Sequence, residues 1–237
     1  MAETVAVVHR VLASGSSFPS LVQTVQGRRY VLKLAGAGPG RRALATEYVA
    51  IALARHLGLD VPEAHVLDLP HDLPWQAGTD EFYETLQRSP GPNLGVAFIP
   101  DARDLKAAEL PTLPREFLSR LAAVDALLQN VDRTTVNPNI MRDEAGTCWA
   151  IDFGACLLIE RIARGSAVAR LHLPRNHFLA GEAALSYSVR AAAETIGSSR
   201  LEAIIEGIPE PWLDDLALAR PELLLRLQAY LDAVRRP

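Results

Sequence analysis

Asn130-Val131-Asp132-Arg133-Thr134-Thr135-Val136-Asn137-Pro138-Asn139, followed shortly by Ile151-Asp152-Phe153-Gly154, is the stretch from which fold and chemistry are both read. Transfer of a phosphoryl group from ATP to a hydroxyl needs a carboxylate that orients the attacking oxygen. It also needs oxygen ligands for the magnesium ions that offset charge on the β- and γ-phosphates. Asp132 suits the first role, and Asn137 and Asp152 suit the second. Between them, Asn139 to Arg142 reads as a strand, Asp143-Glu144-Ala145-Gly146 as a turn and Thr147 to Ile151 as the returning strand. Such a hairpin would deliver Asp152 back beside Asn137. Arg133 is a secondary candidate, for contact with Asp152 or with the phosphates.

The same chemistry needs a cation on the phosphates and a partner that holds it. Arg28 to Leu34 reads as a strand whose period of two puts Tyr30, Leu32 and Leu34 on one face and Val31 and Lys33 on the other. Lys33 is therefore expected in the cleft. Ala43 to Leu57 reads as a helix stopped by Gly58, with Pro62 beyond, and Glu47 lies in its second turn among mostly apolar neighbours. Glu47 is the expected partner of Lys33. Ahead of the strand, the small-residue loop around Gly15, Ser16 and Ser17 can lay backbone N–H groups and hydroxyls against phosphate. Alone it reads equally well as a hairpin turn.

Outward from these motifs, the first part of the chain is β-rich. Strands are expected near residues 4–12, 20–25, 28–34, 64–68 and 94–99, and Pro70 to Asn93 reads as an irregular excursion with a short helix at Asp80 to Gln87. Leu94 to Ile99 is a buried strand that leads into a polar connector, Asp101 to Lys106. A hinge under the adenine is expected there, with the backbone of Phe98 and Ile99 doing the reading. The second part is helical. Arg115 to Gln129 places Leu118, Leu121, Ala122, Asp125 and Leu128 at three- and four-residue steps and runs directly into the catalytic loop. Further helices are expected over Ala180 to Thr195, Arg200 to Ile205, Glu210 to Ala219 and Pro221 to Val234. His172 and His177 fall where the acceptor would be met, although each also reads as an ordinary loop histidine.

Composition sets outer bounds. A chain of 237 residues with 49% hydrophobic content can build one large domain or two compact lobes. A net charge of −4 with dispersed cations lacks the electrostatic footprint of a nucleic-acid binder. No run approaches the ~18 apolar residues of a membrane span, and Met1 to Thr4 lacks the basic start of a signal peptide. A cytoplasmic protein is expected, with no nucleic-acid or membrane partner. Cys148 and Cys156 have neither zinc-type spacing nor a disulfide framework and read as small buried hydrophobes.

As a set, the Gly15-Ser16-Ser17 loop, Tyr30 to Lys33, Glu47 with Leu57 to Pro62, Asn130 to Arg133, Asn137 to Asn139 and Ile151 to Gly154 resemble the HipA-like kinases, distant relatives of the phosphoinositide and protein kinases. The resemblance implies an α+β, two-lobed kinase-like fold, with a β-rich N-lobe over residues 1–103 and a helical C-lobe over 104–237. It implies Lys33 on the nucleotide phosphates, Asp132 as the catalytic aspartate, and Asn137 and Asp152 as magnesium ligands. ATP and Mg2+ are the expected cofactors, and a serine or threonine of a protein substrate is the expected acceptor. Thr134 stands where relatives often carry histidine. The extra N-terminal region by which full-length HipA toxins meet their antitoxin has no counterpart here, so a standard toxin–antitoxin role is not expected. Two alternatives stay open: a small-molecule phosphotransferase, and a nucleotide-binding pseudokinase acting as a binding module.

Overall fold

The structure, a computed structural model, describes residues 2–12, 17–38, 40–74, 78–182 and 187–236. Five strands, β1 (Glu3–Val11), β2 (Ser20–Thr24), β3 (Arg29–Lys33), β4 (Ala64–Leu69) and β5 (Gly91–Ala97), close into a barrel of order β1-β2-β3-β5-β4. Closure is completed by a short parallel pairing in which Glu3 and Thr4 face Leu67 and Asp68. Two register shifts in the β1–β2 ladder supply the curvature that a small barrel needs. Gly95 is required by this curl, because a side chain there would overlap Leu67 on the neighbouring strand.

The period-two reading of β3 decides what lies inside. Tyr30, Leu32 and Leu34 fill the barrel with Val5, Val22 and Leu67, while Val31 packs outward against the large core that continues into the second half of the chain. The excursion after β4 plugs this interior. Thr79 caps α2 (Asp80–Gln87) by accepting from the Phe82 N–H, and Phe82 and Leu86 enter the barrel core, with Phe18 edge-on to Phe82 at 6.0 Å. Helix α1 (Arg41–His56) crosses the outer face of the sheet and buries Leu44, Val49, Ile51 and Leu53.

In the second half, a six-residue 3-10 helix (Ala107–Thr112) leads into α3 (Arg115–Leu128), which ends at the left-handed Gln129. The hairpin β7 (Ile140–Arg142) and β8 (Cys148–Ala150) follows, then α4 (Leu158–Ala163), α5 (Val189–Thr195), α6 (Ser198–Glu206), α7 (Glu210–Leu216) and α8 (Arg220–Arg235). Two sequence expectations are corrected here, and one element is new. Residues 101–106 are not only a connector, since β6 (Arg103–Asp104) pairs antiparallel with β7. The helix expected from Ala180 is shorter within the described residues: 187 and 188 are not helical, and the Ser188 side chain caps α5 by accepting from the Ala191 N–H. The six-residue α4 was not expected, because a single apolar turn has too few repeats to show a period. Both cysteines are buried and free. No helix among the described residues is long and apolar enough to cross a membrane.

Candidate active site

Lys33 ends β3, opposite Leu94, and its ammonium is the meeting point of two carboxylates. Its Nζ donates to Glu47 Oε1 at 2.7 Å and to Asp152 Oδ1 at 2.9 Å. Burial alone would pull the Lys33 pKa down, but the two anions outweigh it and hold the ammonium above its ordinary value. Glu47 lies buried on α1, and loss of solvent raises its pKa against the pull of Lys33. Its Oε1 also accepts from the Phe153 N–H at 3.4 Å, so the helix carboxylate touches both the strand lysine and the Asp-Phe-Gly backbone. Asp152 keeps about half of its side chain exposed. Burial pushes its pKa up, yet the Lys33 charge and hydrogen bond bring it below the usual carboxylate value. The backbone of Asp152 is left-handed, with φ 55°, which turns the side chain back toward Lys33.

The second cluster is the candidate catalytic loop. Asp132 Oδ2 accepts from Asn137 Nδ2 at 2.8 Å and Asn139 Nδ2 at 3.3 Å, and the Asp132 N–H donates to Asn130 Oδ1 at 3.2 Å. Thr134 closes the loop reciprocally: its N–H donates to the Asn137 carbonyl at 3.0 Å and its hydroxyl accepts from the Asn137 N–H at 3.2 Å. The two clusters are joined by the hairpin, because the Ile151 N–H donates to the Asn139 carbonyl at 2.9 Å. Asn137 and Asp152 therefore flank one pair of adjacent backbones.

Arg133 is buried, and only its charge reaches Asp152, where it helps to lower the carboxyl pKa. Its side chain is 0% exposed and has no hydrogen bond to Asp152 among the described residues. The guanidinium donates instead to Asp125 Oδ2 at 2.5 Å, to the carbonyls of Pro138 and Asn139 at 2.9 and 2.7 Å, and more weakly to Ile151 at 3.4 Å. It also lies over the Phe153 ring at 5.0 Å. One buried cation thus holds the backbone just after Asn137 and just before Asp152. Asp125 anchors it from inside α3. Burial would raise the Asp125 pKa, but Arg133 and the hydrogen bonds from His177 and Asn130 hold it below the usual value.

His177 is the functional neighbour that sequence reasoning left undecided. Its Nδ1 accepts from the Leu179 N–H at 3.1 Å, which leaves Nε2 to donate to Asp125 Oδ2 at 3.0 Å. The buried ring is thereby fixed in one tautomer and serves the loop's foundation, while His172 is exposed. The visible signal for this hub was Asp125 itself, a carboxylate on the apolar stripe of a helix.

Of the nucleotide-side candidates, Gly15 and Ser16 lie outside the described residues, and Ser17 is exposed in the β1–β2 turn. Phe98 and Ile99 are half-buried just past β5, where the Phe98 N–H donates to the Arg29 carbonyl at 3.1 Å. Four residues of ladder separate Phe98 from the level of Lys33, about 13 Å at the usual strand rise. For a metal ion, the candidate donors are the carboxylate of Asp152 and the carbonyl oxygen of Asn137, whose amide nitrogen is turned to Asp132. These are hard oxygen donors. Among the described residues no group of three or more His, Cys, Asp or Glu could hold a metal on its own. The set therefore fits an ion that completes its shell with phosphate and water, as Mg2+ does, and not a closed protein cage.

Among solved structures, a kinase shares the architecture. The Helicobacter pylori proinflammatory kinase CtkA superposes with a TM-score of 0.61 at 14% identity, covering 99% of this chain and 97% of its own. The Golgi casein kinase matches more loosely, with a TM-score of 0.47 at 13% identity over 98% of this chain and 72% of its own. No curated protein sequence matches the chain. The family model for HipA-like kinases matches residues 5–236, and with nearly the whole chain covered, this protein belongs to the HipA-like kinase family.

Proposed function

We propose that this kinase uses ATP and Mg2+ to transfer the γ-phosphoryl group to a serine or threonine hydroxyl of a protein. The observation that carries the reading is the Lys33 ammonium held between Glu47 and Asp152. A lysine so clamped stays charged and stays placed, which is what phosphate oxygens require of it. Residues 1–103, with Lys33, Ser17 and the backbone of Phe98 and Ile99, would bind the nucleotide. Residues 104–237 would carry the chemistry.

In this reading Asp132 accepts a hydrogen bond from the acceptor hydroxyl and takes its proton as the oxygen bonds to the γ-phosphorus and the bond to ADP breaks. Asn137 and Asp152 would hold the metal, which when bound offsets the negative charge of the β- and γ-phosphates. Glu47 keeps Lys33 in place, and Arg133 sets the spacing of the two loops without touching substrate.

The test has two arms. Mg-ATP should raise the unfolding temperature of the purified protein, and no response at millimolar nucleotide would refute the binding site. Radiolabelled phosphate should then reach proteins of a cell lysate with the wild type and not with Asp132→Ala. Nucleotide binding without any transfer would leave a binding module in place of a kinase.

A further inference from the structure

The cations of the chain as a whole are dispersed, but residues 161–181 depart from that pattern. This run contains Arg161, Arg164, Arg170 and Arg175 and not one Asp or Glu, in a chain where 28 acidic residues outnumber 24 basic ones. It also tracks the catalytic loop. The Val168 carbonyl accepts from Gln129 Nε2 at 3.1 Å, Asn176 Nδ2 donates to the Val131 carbonyl at 2.8 Å, and the Phe178 N–H donates to the Arg133 carbonyl at 3.2 Å. The segment from 168 to 178 is thus tied to residues 129, 131 and 133 in turn, immediately beside Asp132.

Two of the four arginines already have work within the fold. Arg161 bonds the side chain of Gln129, and Arg164 pairs with Glu160 at 2.8 Å. Arg170 and Arg175 are exposed, and among the described residues neither side chain makes an ion pair, although the Arg170 backbone bonds Tyr230 of α8 and its charge counters the burial that raises the Tyr230 pKa. Arg175 is next in sequence to Asn176, the residue fastened to the catalytic loop. On the loop itself Val136 is 93% exposed, one residue before Asn137. The segment fastened to the catalytic loop therefore carries two exposed arginines without an ion pair among the described residues, and the loop itself carries an exposed apolar side chain.

We propose that the acceptor hydroxyl is presented on an acidic protein segment, whose carboxylates pair with Arg170 and Arg175 while Asp132 meets the hydroxyl. The proposal rests on the protein-kinase reading above and narrows its substrate class. Complementary charge at the rim steers the encounter and selects among otherwise similar acceptors. A nucleic acid is disfavoured, because typical binders make about 6–10 phosphate contacts and this flank offers two free arginines.

The test uses serine peptides with Glu-Glu-Ser-Glu-Glu, Gln-Gln-Ser-Gln-Gln and Lys-Lys-Ser-Lys-Lys cores, with the wild type and the double variant Arg170→Glu/Arg175→Glu. Phosphorylation and peptide binding by fluorescence anisotropy are both measured, and stabilisation by Mg-ATP is the control for an intact nucleotide site. The wild type should favour the acidic peptide over the glutamine peptide by about tenfold or more in kcat/KM, and the variant should lose that preference and gain one for the lysine peptide. Equal use of the acidic and glutamine peptides by the wild type, or a preference that survives charge reversal, overturns the proposal and leaves the kinase reading standing. Arginine-dependent binding of the acidic peptide with no transfer to any peptide sinks the kinase reading and keeps the surface. Absence of both binding and transfer, with Mg-ATP still bound, overturns the proposal, as does equal competition by a single-stranded oligonucleotide.

Discussion

At Lys33 and Arg133 the chain uses two cations in opposite ways, one facing the cleft and one sealed beneath it. Lys33 was legible from sequence because a period of two assigns it to the face away from Tyr30 and Leu32, and Glu47 because a charge among apolar helix positions asks for a partner. Arg133 was placed only loosely: a sequence shows that an arginine follows Asp132 but not which way the loop turns it. Replacing Asp152 by Asn should lower phosphoryl transfer by about 100-fold or more with the fold retained, the usual scale for losing a charge-stabilising group at a reacting centre; wild-type turnover would refute the metal assignment. Asp125→Asn should cost about 3–5 kcal/mol in urea unfolding at neutral pH, since it leaves the buried Arg133 uncompensated. The native Asp125 pKa is depressed, so its contribution is complete above the ordinary carboxylate value and is lost as pH falls through the native one. The stability gap between wild type and Asp125→Asn should therefore narrow as pH is taken from neutral to about 2. A gap that is constant or widens would show that Asp125 is not ionised in the fold.

Among the elements, α1 decides whether Glu47 reaches Lys33, and α1 is fastened to the C-terminal helices. Arg42 Nε donates to the Asp215 carbonyl at 2.6 Å, and Tyr48, the residue after Glu47, stands edge-on to the buried Trp212 at 6.2 Å. Gly207 leaves room for the Tyr48 hydroxyl, which a side chain at that position would overlap. Its backbone is ordinary, with φ −74°, so alanine there is unfavourable for lack of space alone. Gly207→Ala should destabilise by about 1–3 kcal/mol and reduce turnover by shifting α1. In a Tyr48→Phe background the penalty should shrink, and a double-mutant cycle with no coupling would refute the contact. The short helix expected near Asp80 to Gln87 is found there, and Thr79 supplies the cap that starts it. Closure of the barrel was not legible, because the pairing of β1 with β4 joins residues over 60 positions apart and leaves no local periodicity. The start of α5 was missed because the alanine-rich stretch satisfies helix propensity while Ser188 supplies the actual cap.

For the molecule as a whole, ligand binding and folding are linked. Mg-ATP at about one hundred times its dissociation constant should add roughly 2.7 kcal/mol. For a chain of this length that is on the order of 5–10 °C in unfolding temperature, and Asp132→Ala should keep most of the shift because the metal donors remain. A shift abolished by Asp132→Ala would instead make Asp132 part of the nucleotide site. The short pairing of β6 with β7 also bears on motion between the two halves. The Leu105 N–H donates to the Ile140 carbonyl at 2.8 Å, and Arg103 and Asp104 sit opposite Arg142 and Met141. The strap that leaves the barrel is thereby stitched to the ribbon spanning Asn137 and Asp152, so the molecule cannot gape freely as two clamshells on a slack tether. On the proposed ATP-dependent reading, each opening for product release would either unpick those few stitches or tug the ribbon along, so that letting ADP go and disturbing the proposed metal donors would become one mechanical event.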